Sequence, residues 1–180
     1  MYYLAVGLVG LLLGFLGGQL AAFETSISHE DLKLISKSCL DKWLDMLKQA
    51  DPDAIADLYD KDGTLHPTFG VDLRKGETLR DYFAHFFKKK PLGKIIENEI
   101  QSITDFCHVD SGEYHFEVVN SEGDKEVVEA RFSFVFKAEL EGIWKKMAKF
   151  LSKFSILKYI VNIANRKIYS HHSSEKPRGH

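Results

Sequence analysis

From Met1 to Phe23 the chain carries no charge at all; Glu24 is the first charged side chain. An uncharged apolar run of that length matches a membrane span or the apolar region of a signal peptide. A signal peptide would end near Ala21–Ala22, but without a Lys or Arg ahead of it and with Leu20 where a small residue is preferred. Gly7, Gly10, Gly14 and Gly17 instead draw a small-residue stripe that lets membrane helices approach closely. Cleavage and anchoring both stay open, with export preferred. Either way the rest of the chain is expected outside the cytosol: secreted, periplasmic, organellar or tethered to a membrane. Cysteine is nearly missing too. Cys39 and Cys107 are the only two, and no metal-type cysteine spacing exists. Cys39 falls on the apolar stripe of a predicted helix and reads as a small buried group, although an oxidising compartment would let the two pair. Charge of one sign is also lacking. A net charge of −2 argues against a nucleic-acid partner, which needs a basic face to displace counterions.

What remains is enough for one core. Of 180 residues, 44% are apolar and 28% charged, which suits a single domain over residues 26–178 behind the 1–23 segment. Thirteen Phe and seven Tyr imply a core or pocket walled with rings. Leu32, Ile35, Cys39, Trp43, Met46 and Leu47 recur at helical spacing, so a helix is predicted over His29–Gln49. Asp51-Pro52 then reads as an N-cap followed by proline in the first turn of a short helix, with Ile55, Leu58 and Tyr59 inward. Asp62-Gly63 turns the chain into a short strand, Thr64–Thr68. A third helix is predicted over Gly76–Lys88, with Leu79, Tyr82, Phe83 and Phe86 on one face. From Ile95 the period becomes two. Strands are predicted at Ile95–Phe106, around Tyr114–Val118, at Val128–Phe136 and at Arg166–Ser174, with turns at Ser111-Gly112 and Ser121–Asp124. Helices first, then a meander of long strands, reads as α+β: a curved antiparallel sheet wrapped around the helices.

That order resembles the cone-shaped fold shared by nuclear transport factor 2, ketosteroid isomerase and the calcium/calmodulin-dependent kinase II association domain. The segments "DLYDKDGTLHPTF", "RKGETLRDYFAHFFKKKP", "DSGEYHFEV", "VEARFSFVFK" and "HHSSEKP", from about Leu40 to Pro177, resemble the branch that holds iota-class carbonic anhydrases. The resemblance implies reversible hydration of carbon dioxide to bicarbonate in a partly apolar pocket closed by a Thr, a Tyr and a Ser. Carried onto this chain, the Thr is Thr64, with Thr68 as alternate, and the Tyr is Tyr82. The Ser is Ser173 or Ser174, depending on strand parity. Phe83 and Phe86 would wall the pocket, with His85, His171 and His172 nearby. The resemblance implies no obligatory cofactor, since some relatives work without a metal; a divalent ion such as zinc or manganese stays open. It also implies a homodimer, because the open sheet face needs cover.

One stretch departs from the family. Residues 143–164 read as an inserted helix before the last strand, with Met147, Phe150, Phe154, Leu157 and Val161 inward and Lys145, Lys146, Lys149, Lys153 and Lys158 outward. A basic amphipathic helix suits a membrane surface or a partner. A solvated insertion and a translated intron are the competing readings. Membrane contact is therefore expected, if anywhere, through residues 1–22 or 143–164. The competing functions are a non-catalytic oligomerisation or small-ligand module and, third, an isomerase or cyclase of the polyketide type.

Overall fold

The computed structural model describes residues 27–68, 70–139 and 165–176. The N-terminal segment and the insertion at 143–164 lie outside the described residues. Every element below belongs to one compact unit, Ser28–Glu139 with Asn165–His180.

Helix α1 spans His29–Gln49, as its periodicity predicts. Ser28 caps it by accepting from the Asp31 amide at 3.2 Å, and Glu30 and Asp31 sit where the helix dipole favours negative charge. Its buried stripe is Leu32, Ser36, Leu40, Trp43 and Leu47, rotated slightly from the expected one. Cys39 is only half-buried and, like Cys107, is not in a disulfide. Burial pushes its thiol up to about 11, so it stays protonated. Helix α2, Pro52–Ala56, is capped by Asp51, whose Oδ1 accepts from the Asp53 and Ala54 amides at 2.9 and 3.0 Å. Among the described residues no helix is long and apolar enough to cross a membrane.

Strand β1 corrects the sequence expectation. It starts at Tyr59, not Thr64, and runs through Asp62-Gly63 to His66. A bulge between Tyr59 and Thr64 lets the acidic stretch loop outward while both ends stay paired with the last strand. Gly63 is required there, because a Cβ would meet the Ile168 carbonyl at 2.6 Å. Helix α3, Glu77–Phe86, is shorter than expected and ends in a 3-10 turn, Phe87–Lys89. Strands β2 (Leu92–Thr104), β3 (Cys107–Val119), β4 (Lys125–Ala138) and β5 (Arg166–Glu175) follow.

The sheet order is β1-β5-β4-β3-β2. Strands β2 to β5 are antiparallel neighbours, but β1 joins β5 in parallel, so the sheet is mixed rather than wholly antiparallel. The expected turn at Ser111-Gly112 is absent; both residues sit inside β3, and the chain reverses at Asp105–Phe106 instead. Gly112 marks close approach, not a turn. It faces the irregularity between Ile95 and Glu97 on β2, where a Cβ would come within 2.0 Å of the Glu97 carbonyl. Alternation holds on β3 and β4: Tyr114, Phe116 and Val118, then Val128, Ala130, Phe132, Phe134 and Phe136, are all buried. The sheet curls, unclosed, around α1, whose Trp43 stacks on Tyr114 with centroids 6.0 Å apart and meets Phe134 edge-on at 5.3 Å. Each such aromatic side chain contributes about 1.5–3 kcal/mol by leaving water.

Candidate functional site

A cavity opens on the concave face of the sheet, between Trp43 of α1, the segment Leu65–Thr68 at the end of β1, α3, and strands β3 and β5. Its walls are mostly rings: Tyr82, Phe83 and Phe86 from one side, Tyr114 and Phe116 from the other. The free volume is about 20 Å3, room for a molecule little larger than water. Among the described residues no Asp or Glu lines it.

The polar groups come from three elements. Ser173 Oγ is hydrogen-bonded to both Thr68 Oγ1 and the Tyr114 hydroxyl, a string of hydroxyls across the cavity. Strand parity puts Ser173 there. An irregularity at Tyr169, opposite Val135 and Phe136, adds one residue to β5, so that Arg166 and Ile168 point inward before it and His171 and Ser173 after it. Ser174 therefore lies on the other face, as does exposed His172, whose ring meets His66 at 5.9 Å. Thr64 is also outside. Leu65 points into the cavity, so its strand neighbours Thr64 and His66 point away, and Thr68 supplies the hydroxyl instead.

Tyr82 lines the cavity, and burial raises its phenol above the ordinary range, partly offset by the Arg74 charge. Burial does the same to Tyr114, against the pull of its Ser173 and Thr68 hydrogen bonds, and to Tyr59. All three phenols are proton-bearing at neutral pH. His171 is 2% exposed and stacked on Phe134 at 3.8 Å, with Nδ1 2.9 Å from the Tyr59 hydroxyl. Burial, helped by the His172 charge, pulls its pKa down to about 3, so the ring is neutral. Its Nε2 is buried with no hydrogen-bond partner. The Trp43 indole nitrogen is also without a well-formed hydrogen bond, its electrostatic partner being Tyr59.

His85 does not enter the cavity. It is exposed in an outer cleft of about 370 Å3, with Arg74, Asp81 and Lys89, and this cleft shares Tyr82 and Phe86 with the cavity. Among the described residues no three His, Cys, Asp or Glu side chains converge as a metal site would need. Of the histidines singled out in the sequence, only His171 faces the cavity.

Sequence reasoning missed Tyr114, Trp43 and Tyr59, which alternation and helical spacing assign to the core. It also missed a second buried polar group. Asp110 accepts from Ser36 Oγ and, at 2.9 Å, from Asn98 Nδ2. Arg166 donates to the Asp105 carbonyl at 3.0 Å and lies 3.4 Å from His108 Nδ1. Burial, then the Arg166 charge, lowers His108 to about 3.

A sequence profile of the calcium/calmodulin dependent protein kinase II association domain matches residues 34–153. A comparison with curated proteins finds no match. Among solved structures, a protein from Xanthomonas campestris described as such an association domain is 29% identical, covering 80% of this chain and 87% of its own at a TM-score of 0.64. A nuclear transport factor 2-like superfamily protein from Salmonella enterica (13% identity, 85% and 96% covered, TM-score 0.62) shares the fold. So does a ketosteroid isomerase-like protein from Erwinia carotovora (13%, 84% and 100%, TM-score 0.60). With a cone-shaped α+β fold and a family profile spanning two-thirds of its length, the chain belongs to the calcium/calmodulin dependent protein kinase II association domain family.

Proposed function

We propose that the chain is a carbonic anhydrase of the iota class, hydrating carbon dioxide to bicarbonate in the cavity around Ser173. The observation that carries this reading is one combination: a very small, ring-walled cavity whose polar groups are hydroxyls rather than carboxylates. Carbon dioxide is small and apolar, so aromatic walls accept it without stripping water from a charge. Ser173, Thr68 and Tyr114 offer fixed dipoles to the oxygens on which charge develops as bicarbonate forms. Neutral His171 leaves Nε2 for the attacking water: a donor if Tyr59 gives its proton to Nδ1, a base if the tautomer is reversed. Because no group here is a strong base at neutral pH, most of the acceleration would come from positioning.

Among the described residues no carboxylate lines the cavity to move a proton between carbons, so an isomerase or cyclase fits less well. Membership in a family named for an association domain favours a second reading, a non-catalytic assembly module. Exposed Val127 (62%) and Tyr169 (45%) on the convex face are what a second copy would cover.

Stopped-flow carbon dioxide hydration by the purified full-length chain, with and without chelator, separates these readings. Chelator-resistant hydration that falls in Thr68→Val supports the hydroxyl cavity. Hydration lost only to chelator transfers the chemistry to a bound metal. No hydration above buffer by a folded oligomer leaves the assembly module.

A further inference from the structure

What His171 can do depends on where a single proton sits. Its ring lines the cavity, while its Nδ1 faces the Tyr59 hydroxyl 2.9 Å away, and Tyr59 is not part of the cavity wall. The nitrogen left for a ligand is therefore Nε2, which is buried and has no hydrogen-bond partner. A neutral imidazole carries its proton on one nitrogen and offers a lone pair on the other. With the proton on Nε2 the ring is a donor to the cavity. With the proton on Nδ1 it is a base.

Counting donors around Tyr59 decides between the two. Tyr59 is buried, and among the described residues His171 is the only side chain in a well-formed hydrogen bond with its hydroxyl. The Trp43 indole nitrogen, which can only donate, interacts with the same hydroxyl without a well-formed bond of its own. If Nδ1 carried the imidazole proton, two N–H groups would compete for one phenol oxygen. The phenol proton would then be shut in the core with no acceptor, which is costly. If the phenol donates to Nδ1 instead, its oxygen stays open to Trp43. The one donor left over is Nε2–H, on a ring that lines free space where a ligand oxygen can meet it.

We infer that Tyr59 is a positioning residue: it donates to Nδ1, holds the imidazole proton on Nε2, and so makes His171 a hydrogen-bond donor to an oxygen bound in the cavity. His171 thereby joins Ser173, Thr68 and Tyr114 in meeting the oxygens of a small oxyanion, and it does not deprotonate water. That the oxyanion is bicarbonate rests on the carbonic anhydrase reading. The place of the proton rests on the packing around Tyr59 alone.

The test is nitrogen-15 NMR of the histidine-labelled full-length chain near neutral pH, with bicarbonate as the added ligand and His171→Gln to assign the signals. Nε2 of His171 should resonate as a proton-bearing nitrogen and Nδ1 as a bare, hydrogen-bonded one, and bicarbonate should shift the Nε2 proton. Tyr59→Phe should move the Nδ1 signal toward that of an unbonded nitrogen. In stopped-flow hydration, His171→Gln, which keeps a donor but not a base, should run at least about tenfold faster than His171→Leu. A proton on Nδ1 in the wild type, an Nδ1 signal unmoved by Tyr59→Phe, or equal rates for the two His171 variants would each overturn the inference while leaving hydration in place. A wild type with its proton on Nε2 that neither hydrates carbon dioxide nor responds to bicarbonate overturns the carbonic anhydrase reading, while the proton placement set by Tyr59 stands.

Discussion

The concave face of the sheet buries a polar group near each end, and the two groups solve the same problem differently. Each centres on a buried histidine held neutral, with an unpartnered Nε2. A ladder of rings joins them: His171 on Phe134, Phe134 on Phe136 at 5.3 Å, Phe136 on His108 at 5.1 Å. Around His171 the partners are hydroxyls beside free space. Around His108 they are an arginine and, on the same strand, a carboxylate fixed by α1 and β2. Hydroxyls cost little to desolvate and can be left partly unpaired for a ligand. Buried charges cannot, so they must be held on every side. The first arrangement suits binding. The second suits fixing the register of α1 against the sheet.

The largest effect should come from what the two ends share. In the unfolded chain both imidazoles take up protons below about pH 6.5, whereas in the folded protein His108 and His171 stay neutral to about 3. Across that window the unfolded state binds more protons, so stability falls as pH drops. With both rings contributing, the slope should approach about 2.7 kcal/mol per pH unit, and roughly half that in His108→Phe. Urea unfolding between pH 7 and 5 measures it. A flat profile would mean that water or an acceptor reaches both rings.

The next test separates the ends. Asp110→Ala strips Ser36, fully buried, of its acceptor and should cost about 1–3 kcal/mol. Asp110→Asn keeps an acceptor without the charge and should fall within about 1 kcal/mol of wild type. Burial raises the Asp110 carboxyl above its usual range, so its charged form is already disfavoured in the fold. Urea midpoints of both variants decide it; equal losses would show that the charge, not the acceptor, is what the fold needs. At the other end Ser173→Ala should reverse the pattern, with stability within about 1 kcal/mol and carbon dioxide hydration down about tenfold or more.

These contrasts also show where the sequence was legible. The β3 and β4 strands and α1 announce themselves because each buries one face, and burial of one face imposes a period. Strand β2 is exposed over most of its length, so no clean alternation marks its bounds. The acidic stretch before Thr64 hides a strand because its paired ends are separated by a bulge. Ser111-Gly112 reads as a turn because the same residues serve turns and close approaches. In the site, α3 was legible from its ring face, and Ser173 and Thr68 were among the candidates. Choosing them over Ser174 and Thr64 needed the irregularity at Tyr169 and the direction of Leu65, both of which depend on strand pairing. Tyr114 was hidden by its own ring, which satisfies the alternation whatever its hydroxyl does.

The smallest expected effect tests that pairing most directly. Ser174→Ala and Thr64→Val change hydroxyls of the same types on the same strands as the cavity, but on the opposite face. Each should leave the urea midpoint within about 0.5 kcal/mol and hydration within about twofold, because neither side chain touches the cavity. The measurement is informative because a slip of one residue in β5 exchanges the two serines completely. If Ser174→Ala abolished hydration while Ser173→Ala kept it, the extra residue at Tyr169 would be absent in solution. His171 would then lie on the face opposite Ser174 and out of the cavity's reach, and His172 would be the imidazole turned inward.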